Sequence, residues 1–261
     1  MGENTHHLRM ITGRPWKQAL VCALYPEARY RPWEGIEEVR RGDTAVVVLD
    51  TSPATVLCAF TWDAFLDKPH TIMVETFGAT RPLRPVAEVE AAIGMSLAGG
   101  ADLDRHAASR LVTAIARHGT ASPSDRTGDS AVAISRILVA ADLQCALCSE
   151  EATVTSEDEL DRQVHTASAD DVAQGRDWPA LLCAECASAM VRGGFTSVVD
   201  FVFSRRPACP VCSARHARRI GYGMPTYDAA LNIAPWDSMG GCVIDPFSPQ
   251  WNCGACGHGW S

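Results

Sequence analysis

Lysine is nearly absent from this chain: Lys17 and Lys68 are the only two in 261 residues, and the other 21 basic side chains are arginine. Long apolar runs are missing too. Nothing approaches the ~18 consecutive apolar residues that a membrane-spanning helix needs. The opening MGENTHHLRMITGRPW has no apolar signal core, so Sec export is not expected. His6, in place of Ser or Thr, makes the Met1-Gly2 start a poor myristoylation match. The expected location is the cytoplasm, with no membrane partner. No phosphate loop, no G-x-G-x-x-G, no G-x-S-x-G elbow and no repeat of 20–50 residues occurs. Positive charge is in deficit: 23 Lys and Arg face 31 Asp and Glu, a formal net charge of −8. That balance argues against a histone-like or polybasic protein but leaves a local basic face open.

What is present suffices for folded domains. Apolar residues make up 47% and charged residues 21%, enough to build a core. The length fits one large domain or two to three small ones. Charge is uneven. Residues 1–141 carry net −1, residues 142–204 net −9 and residues 205–261 net +2. Contact with phosphates is therefore expected on the first or last block.

β-branched or continuous apolar runs at Gln18 to Tyr25, Thr44 to Leu49, Ala54 to Trp62 and Thr71 to Phe77 read as strands, separated by the turn signals RRGD, DTSP and DKPH. The spacing favours a compact barrel or curled sheet over βαβ units. The period then becomes helical at Val86, Val89, Ile93 and Leu97, and again at Leu103, Ala107, Leu111 and Ile115. Residues 119–135 include the polar stretch GTASPSDRTGDS and read as a linker.

Trp16, Tyr30, Arg31, Trp33 and Trp62 are candidate nucleic-acid-binding residues. They are either packing residues or the wall of a pocket on which a base stacks. The order Tyr-x-x-Trp-x-G-Ile (Tyr30 to Ile36) followed by VRRGDTAV (Val39 to Val46) resembles the EVE/PUA-like barrel superfamily. The resemblance implies a barrel over residues 10–118 that binds RNA or modified DNA, in some branches by flipping a base into an aromatic cage. Trp33 is the pocket wall it implies. Thr12-Gly13-Arg14 matches the family's Gly-rich first strand only in part.

The strongest chemical signal is cysteine. Eleven cysteines without an export signal point to metal before disulfides. Eight form four C-x-x-C knuckles: Cys145/Cys148, Cys183/Cys186, Cys209/Cys212 and Cys253/Cys256. Two intervening residues let both thiolates reach one ion from a tight turn, and a tetrahedral site needs two such knuckles. Pairing in chain order predicts two structural zinc sites, each enclosing a small subdomain. A redox C-x-x-C would call for a thioredoxin-like context that is missing. Cys22 and Cys58 fall in expected strands as small apolar residues. Cys242 and His258 lie near the last site, which four cysteines already fill.

Residues 205–261, with C-P-x-C at one end and W-x-C-x-x-C-G-x-x-W at the other, resemble a bacterial zinc ribbon, with strands expected at Ala217 to Tyr222, Gly241 to Ile244 and Gln250 to Asn252. Zinc ribbons serve nucleic-acid binding, protein docking or stability. Arg205, Arg206, Arg215, Arg218 and Arg219 surround the first knuckle as a phosphate-facing patch or a solvated face. Residues 136–204 resemble the HNH nuclease layout: knuckle, strand ending in His165, loop, then LLCAEC opening a helix. In that family the strand His is the general base, which makes His165 the candidate catalytic residue. Trp178 stands where Asn is common, with Asp177 beside it, and Ala187 stands where a metal-binding His follows the last Cys. Loss of that ligand, together with net −9, implies a degenerate, inactive module. Glu157, Asp158, Glu159 and Asp161 are either substitute metal ligands or a solvated face.

The expectation is an α+β chain: a PUA/EVE-like barrel, then an HNH-like and a zinc-ribbon module. The expected function is that of a zinc-containing protein that binds DNA or RNA without catalysis, in its finer form reading a modified or flipped base. An HNH-type nuclease with substituted ligands and a zinc-stabilised scaffold that docks on a protein are the alternatives.

Overall fold

The computed structural model describes residues 6–24, 33–61, 83–98, 102–116, 123–225, 230, 233–244 and 246–261. The expected strand at Thr71 to Phe77 lies outside them. The chain forms two compact units. One comprises residues 1–119, 130–139 and 153–161; the other comprises residues 120–129, 140–152 and 162–261.

In the first unit, β1 (His6–Gly13) lies beside β3 (Thr44–Leu49) in parallel register, from Leu8 opposite Thr44 to Gly13 opposite Leu49. β4 (Thr55–Thr61) pairs antiparallel with β3, with an irregularity between Val47 and Val48. β5 (Arg84–Pro85) closes that side. On the other edge of β1, β2 (Trp33–Glu34) and β6 (Asp102–Leu103) pair at opposite ends of the strand. Among the described residues the strands do not close on themselves, so the PUA-like barrel expected over residues 10–118 is not shown; the unit is a mixed parallel and antiparallel sheet with helices.

A second correction explains the first. Gln18 to Tyr25 is not a strand: Trp16–Leu24 is helix α1. Pro15 precedes it, a residue pre-set for a helix start, and its carbonyl accepts from the Ala19 amide at 3.0 Å. An apolar run of this length does not distinguish a buried strand from a buried helix. Parallel strands need a crossover, and α1 lies within the connection between β1 and β3. The βαβ-type connection that strand spacing argued against is therefore present.

Helices cover both faces of this sheet. A Cβ on Gly13 would lie 2.4 Å from the Ala19 Cβ and 2.9 Å from the Trp33 ring, so α1 approaches β1 where only glycine fits. Leu8, Val46, Val48 and Val56 point the other way. They pack with Val89 and Ile93 of α2 (Val86–Ile93) and with Leu111 and Ile115 of α3 (Arg105–Ala116). Covered twice, β3 is buried at every residue, which explains its unbroken TAVVVL sequence. Each fully buried Leu or Val side chain contributes about 1.5–3 kcal/mol.

Within 119–135, expected as a linker, the described residues form a 3-10 turn at Pro123–Arg126 and the start of α4 (Ala131–Ala141). Helix α5 (Glu157–Gln163) carries the acidic run, and its charges have structural partners. The Ser156 hydroxyl caps the Glu159 amide at 3.2 Å, and Glu159 accepts from the Thr155 amide at 2.7 Å. Asp161 pairs with Lys17 at 2.7 Å and Glu157 accepts from Gln18 at 3.3 Å.

The second unit has much shorter strands. β7 (Val164–His165) and β8 (Ala180–Leu181) form an antiparallel pair, with α6 (Ala169–Ala173) between them in sequence. α7 (Ala184–Arg192) and α8 (Val198–Arg205) follow. A four-stranded sheet then runs in the order β10 (Asp237–Met239), β9 (Ala217–Gly221), β11 (Trp251–Cys253), β12 (Gly259–Trp260). The strand expected at Gly241 to Ile244 is displaced to β10. Trp178, Met190, Phe201, Val202 and Trp236 share one core, so the two cysteine modules are fused rather than strung in series.

Candidate metal centres

Two cysteine quartets form, paired in chain order. Cys145, Cys148, Cys183 and Cys186 make the first, and Cys209, Cys212, Cys253 and Cys256 the second. In each, all four sulfurs lie within 4.8 Å of one another. The Cys148–Cys183 and Cys148–Cys186 sulfurs are 3.7 and 3.8 Å apart, and the Cys209–Cys256 and Cys212–Cys253 sulfurs 3.7 and 3.6 Å. A tetrahedral ion with ~2.3 Å bonds to sulfur has S–S edges of ~3.8 Å. Disulfides would need ~2.05 Å. The donor set and its spacing thus fit one tetrahedral cation in each quartet.

Local backbone chemistry builds the knuckles. In three of them the first cysteine's carbonyl accepts from the residue four places on: Ser149, Ser213 and Gly257, at 3.0, 2.9 and 2.8 Å. Its amide donates to the carbonyl five places on: Glu150, Ala214 and His258. That closed turn puts the fourth-place residue in the left-handed region, with φ of 61° at Ser149, 62° at Ser213 and 75° at Gly257. At the fourth knuckle, Cys183 instead begins α7, and its carbonyl accepts the first helical bond, from Ala187 at 2.9 Å.

The turns also aim amides at sulfur. Amides of Cys256 and Ala255 hold the Cys253 thiol down to about 7 against the effect of burial. In Cys212 the Ala214 amide favours the thiolate, but contacts with Cys256, burial and the other sulfurs outweigh it and push the group up to about 12. Four sulfurs this close cannot all ionise unless a cation offsets their repulsion.

The other candidate residues fall outside the two quartets. His165 Nε2 pairs with Asp177 Oδ2 at 2.7 Å, with both side chains largely buried. Asp177 Oδ1 accepts from the Trp178 amide at 2.8 Å and the Val198 amide at 2.9 Å, which fixes the carboxylate at the start of α8. Sequence reading placed Asp177 beside the expected Asn position without assigning it this contact. Ala187 is buried at 6% exposure and offers no ligand. Trp178 is core, with Arg126 over its ring at 5.7 Å.

Trp33 is 7% exposed, packed against Gly13 and hydrogen-bonded with the Cys22 thiol. Its position is that of a packing residue. Trp16 is half-buried, with Lys17 Nζ 5.6 Å from its ring centre. Tyr30, Arg31 and Trp62 lie outside the described residues. Cys22 sits in α1, not a strand, and burial pushes its thiol up; Cys58 is buried in β4.

Of the five C-terminal arginines, Arg205, Arg215, Arg218 and Arg219 are exposed. Arg206 departs from the proposed patch. Its guanidinium donates to the Trp236 carbonyl and, at 3.2 Å, to the Ala217 carbonyl, lies over Trp251 at 5.4 Å and reaches Asp237. It is a structural cation.

Among the described residues, groups of three or more close metal-ligating side chains occur only as the two quartets, so the acidic run of α5 supplies no such site. No described helix is long and apolar enough to cross a membrane. Comparison with protein families, curated proteins and solved structures returned no match.

Proposed function

We propose that this protein is a zinc-containing nucleic-acid-binding protein in which Cys145, Cys148, Cys183 and Cys186 hold one structural Zn2+ and Cys209, Cys212, Cys253 and Cys256 another. Four thiolates at tetrahedral spacing suit Zn2+, which has no redox chemistry and tolerates closed four-sulfur sites. The observation that carries the binding reading is the exposed set Arg215, Arg218 and Arg219 on and beside β9, at the edge of the second quartet in the only block of net positive charge. Arginine forks suit phosphate oxygens and base edges. In the finer form of the proposal, the first unit reads a modified or flipped base.

The test is a fluorescence titration of the zinc-loaded chain with short plain and modified DNA and RNA. Binding should weaken with salt and fall at least tenfold when Arg215, Arg218 and Arg219 are all changed to Gln. Absence of binding to the whole panel at low salt would sink the reading and favour a zinc-stabilised scaffold that docks on a protein.

A second reading is favoured by one observation. His165, oriented by Asp177 at 2.7 Å on a two-stranded hairpin that leads into α7, retains the geometry of a general base. On this reading the protein is an HNH-type nuclease with substituted ligands. It requires DNA cleavage with Mg2+ or Mn2+ that disappears in His165→Ala. Absence of cleavage with either ion removes it.

A further inference from the structure

Each quartet has four cysteine ligands, but the two differ in the charged residues near them in sequence. Gly254 lies inside the knuckle Cys253–Cys256. A Cβ there would lie 2.9 Å from Arg218 Nε, 3.2 Å from its Cζ and 3.3 Å from its Nη2. The guanidinium therefore rests against the knuckle backbone, in space that any side chain at 254 would take. Sheet register puts it there. Arg218 stands opposite Asn252 in the β9–β11 pair, and Ala217 stands opposite Cys253. Asn252 in turn donates to the Gly257 carbonyl at 3.2 Å, bracing the same turn. Among the described residues no carboxylate pairs with Arg218.

The first quartet's knuckles enclose Ala146, Leu147, Ala184 and Glu185, and Glu150 and Glu151 lie two and three residues past Cys148, so its sequence neighbours are acidic where Arg215, Arg218 and Arg219 follow the first knuckle of the second. A divalent ion with four thiolates carries net charge −2. An opposite charge beside such a centre stabilises it, and a like charge does not.

We infer that Arg218 is the charge-compensating residue of the second tetrathiolate centre and slows that centre's loss of metal relative to the first. The inference rests on reading the quartets as zinc sites. It adds that the arginine edge has two roles: Arg218 offsets the centre's own negative charge, which would otherwise repel a phosphate, while the exposed Arg215 and Arg219 remain for the phosphate.

The test uses the full chain loaded with zinc. Native mass spectrometry first counts bound ions. A chromogenic chelator then draws zinc out, while pulses of N-ethylmaleimide and peptide mapping report which four cysteines become free. In Arg218→Gln at low salt, the second centre should release zinc about fivefold faster while the first keeps its rate, and added salt should shrink the difference. Arg218→Lys should restore most of the slow release. Gly254→Ala, which displaces the guanidinium without removing the charge from the chain, should reproduce part of the acceleration. An unchanged second centre in Arg218→Gln, or equal acceleration of both centres, overturns the inference while leaving two zinc sites standing. A wild-type chain that binds no zinc overturns the zinc reading before the chelator is added.

Discussion

The two compact units stabilise their folds by different means. In the first, β1 and β3 run for eight and six residues, and β3 is covered on both faces. Burial of Ile11, Val46, Val47 and Leu49 between α1 on one side and α2 and α3 on the other supplies its core. In the second, strands last two to five residues. Such strands are too short to hold a sheet by ladder bonds and side-chain cover alone. There the knuckles fix the chain: Cys145, Cys209 and Cys253 are buried at the sites where segments far apart in sequence converge. Long apolar strands make a metal dispensable, whereas short polar ones make it part of the fold.

Metal removal is the most direct way to break that comparison. Stripping zinc with a strong chelator should unfold the second unit, since structural zinc sites are worth on the order of 10 kcal/mol. Trp178 and Trp236 should become solvent-exposed and amides of α7 and α8 should lose hydrogen-exchange protection, while the amides of β3 keep theirs. Loss of protection in both units together would show that the first unit also depends on metal.

Acid should act in the same direction. Zinc binds thiolates; neighbouring amides hold the Cys253 thiol down to about 7, while Cys212 is pushed up to about 12. Metal uptake must therefore displace protons, and affinity falls as pH falls. Lowering the pH from about 7.5 to about 5 should release zinc and selectively destabilise the second unit, as zinc counting and tryptophan fluorescence can show.

Gly13→Val probes the other side of the comparison. The added carbons meet Ala19 and Trp33, and the cost should be about 3 kcal/mol. Thermal unfolding of the first unit should shift down with the metal content of the chain unchanged. The smallest effect is expected for Arg206→Lys, which keeps the charge but loses the fork that reaches two carbonyls and Asp237. A loss of about 2 kcal/mol, confined to the second unit, should appear in its chemical denaturation.

Much of the site was legible in the sequence and rather less of the fold. C-x-x-C spacing is a local constraint: two residues close a turn that aims both sulfurs one way, whatever surrounds it, so the eight cysteines and their pairing in chain order could be read directly. The mixed sheet could not. Gln18 to Tyr25 is apolar all along, and such a run suits a buried helix as well as a buried strand. Its helical state follows from Pro15 and from the close approach to Gly13, a contact between separate elements. Reading α1 as a strand hid the parallel, crossover-connected pair β1–β3 and turned a mixed sheet into an expected barrel.

The arginine cluster divides in the same way. Five arginines near one knuckle are visible as letters, yet Arg206 turns inward to Trp236 and Trp251 while Arg218 lies along Gly254. His165 could be singled out by its place after a short strand, but its bond to Asp177 depends on β7 pairing with β8 and on the Val198 amide holding the carboxylate. By itself the sequence determined the cysteines of both quartets, the strands β3 and β4 and the helices α2 and α3, because spacing and periodicity act within a few residues. Only the tertiary structure decided that the first sheet is mixed, that α1 is a helix, that both cysteine modules share one core, and which arginine meets which centre. Those outcomes are set by packing and register between segments distant in sequence, where local pattern carries no information.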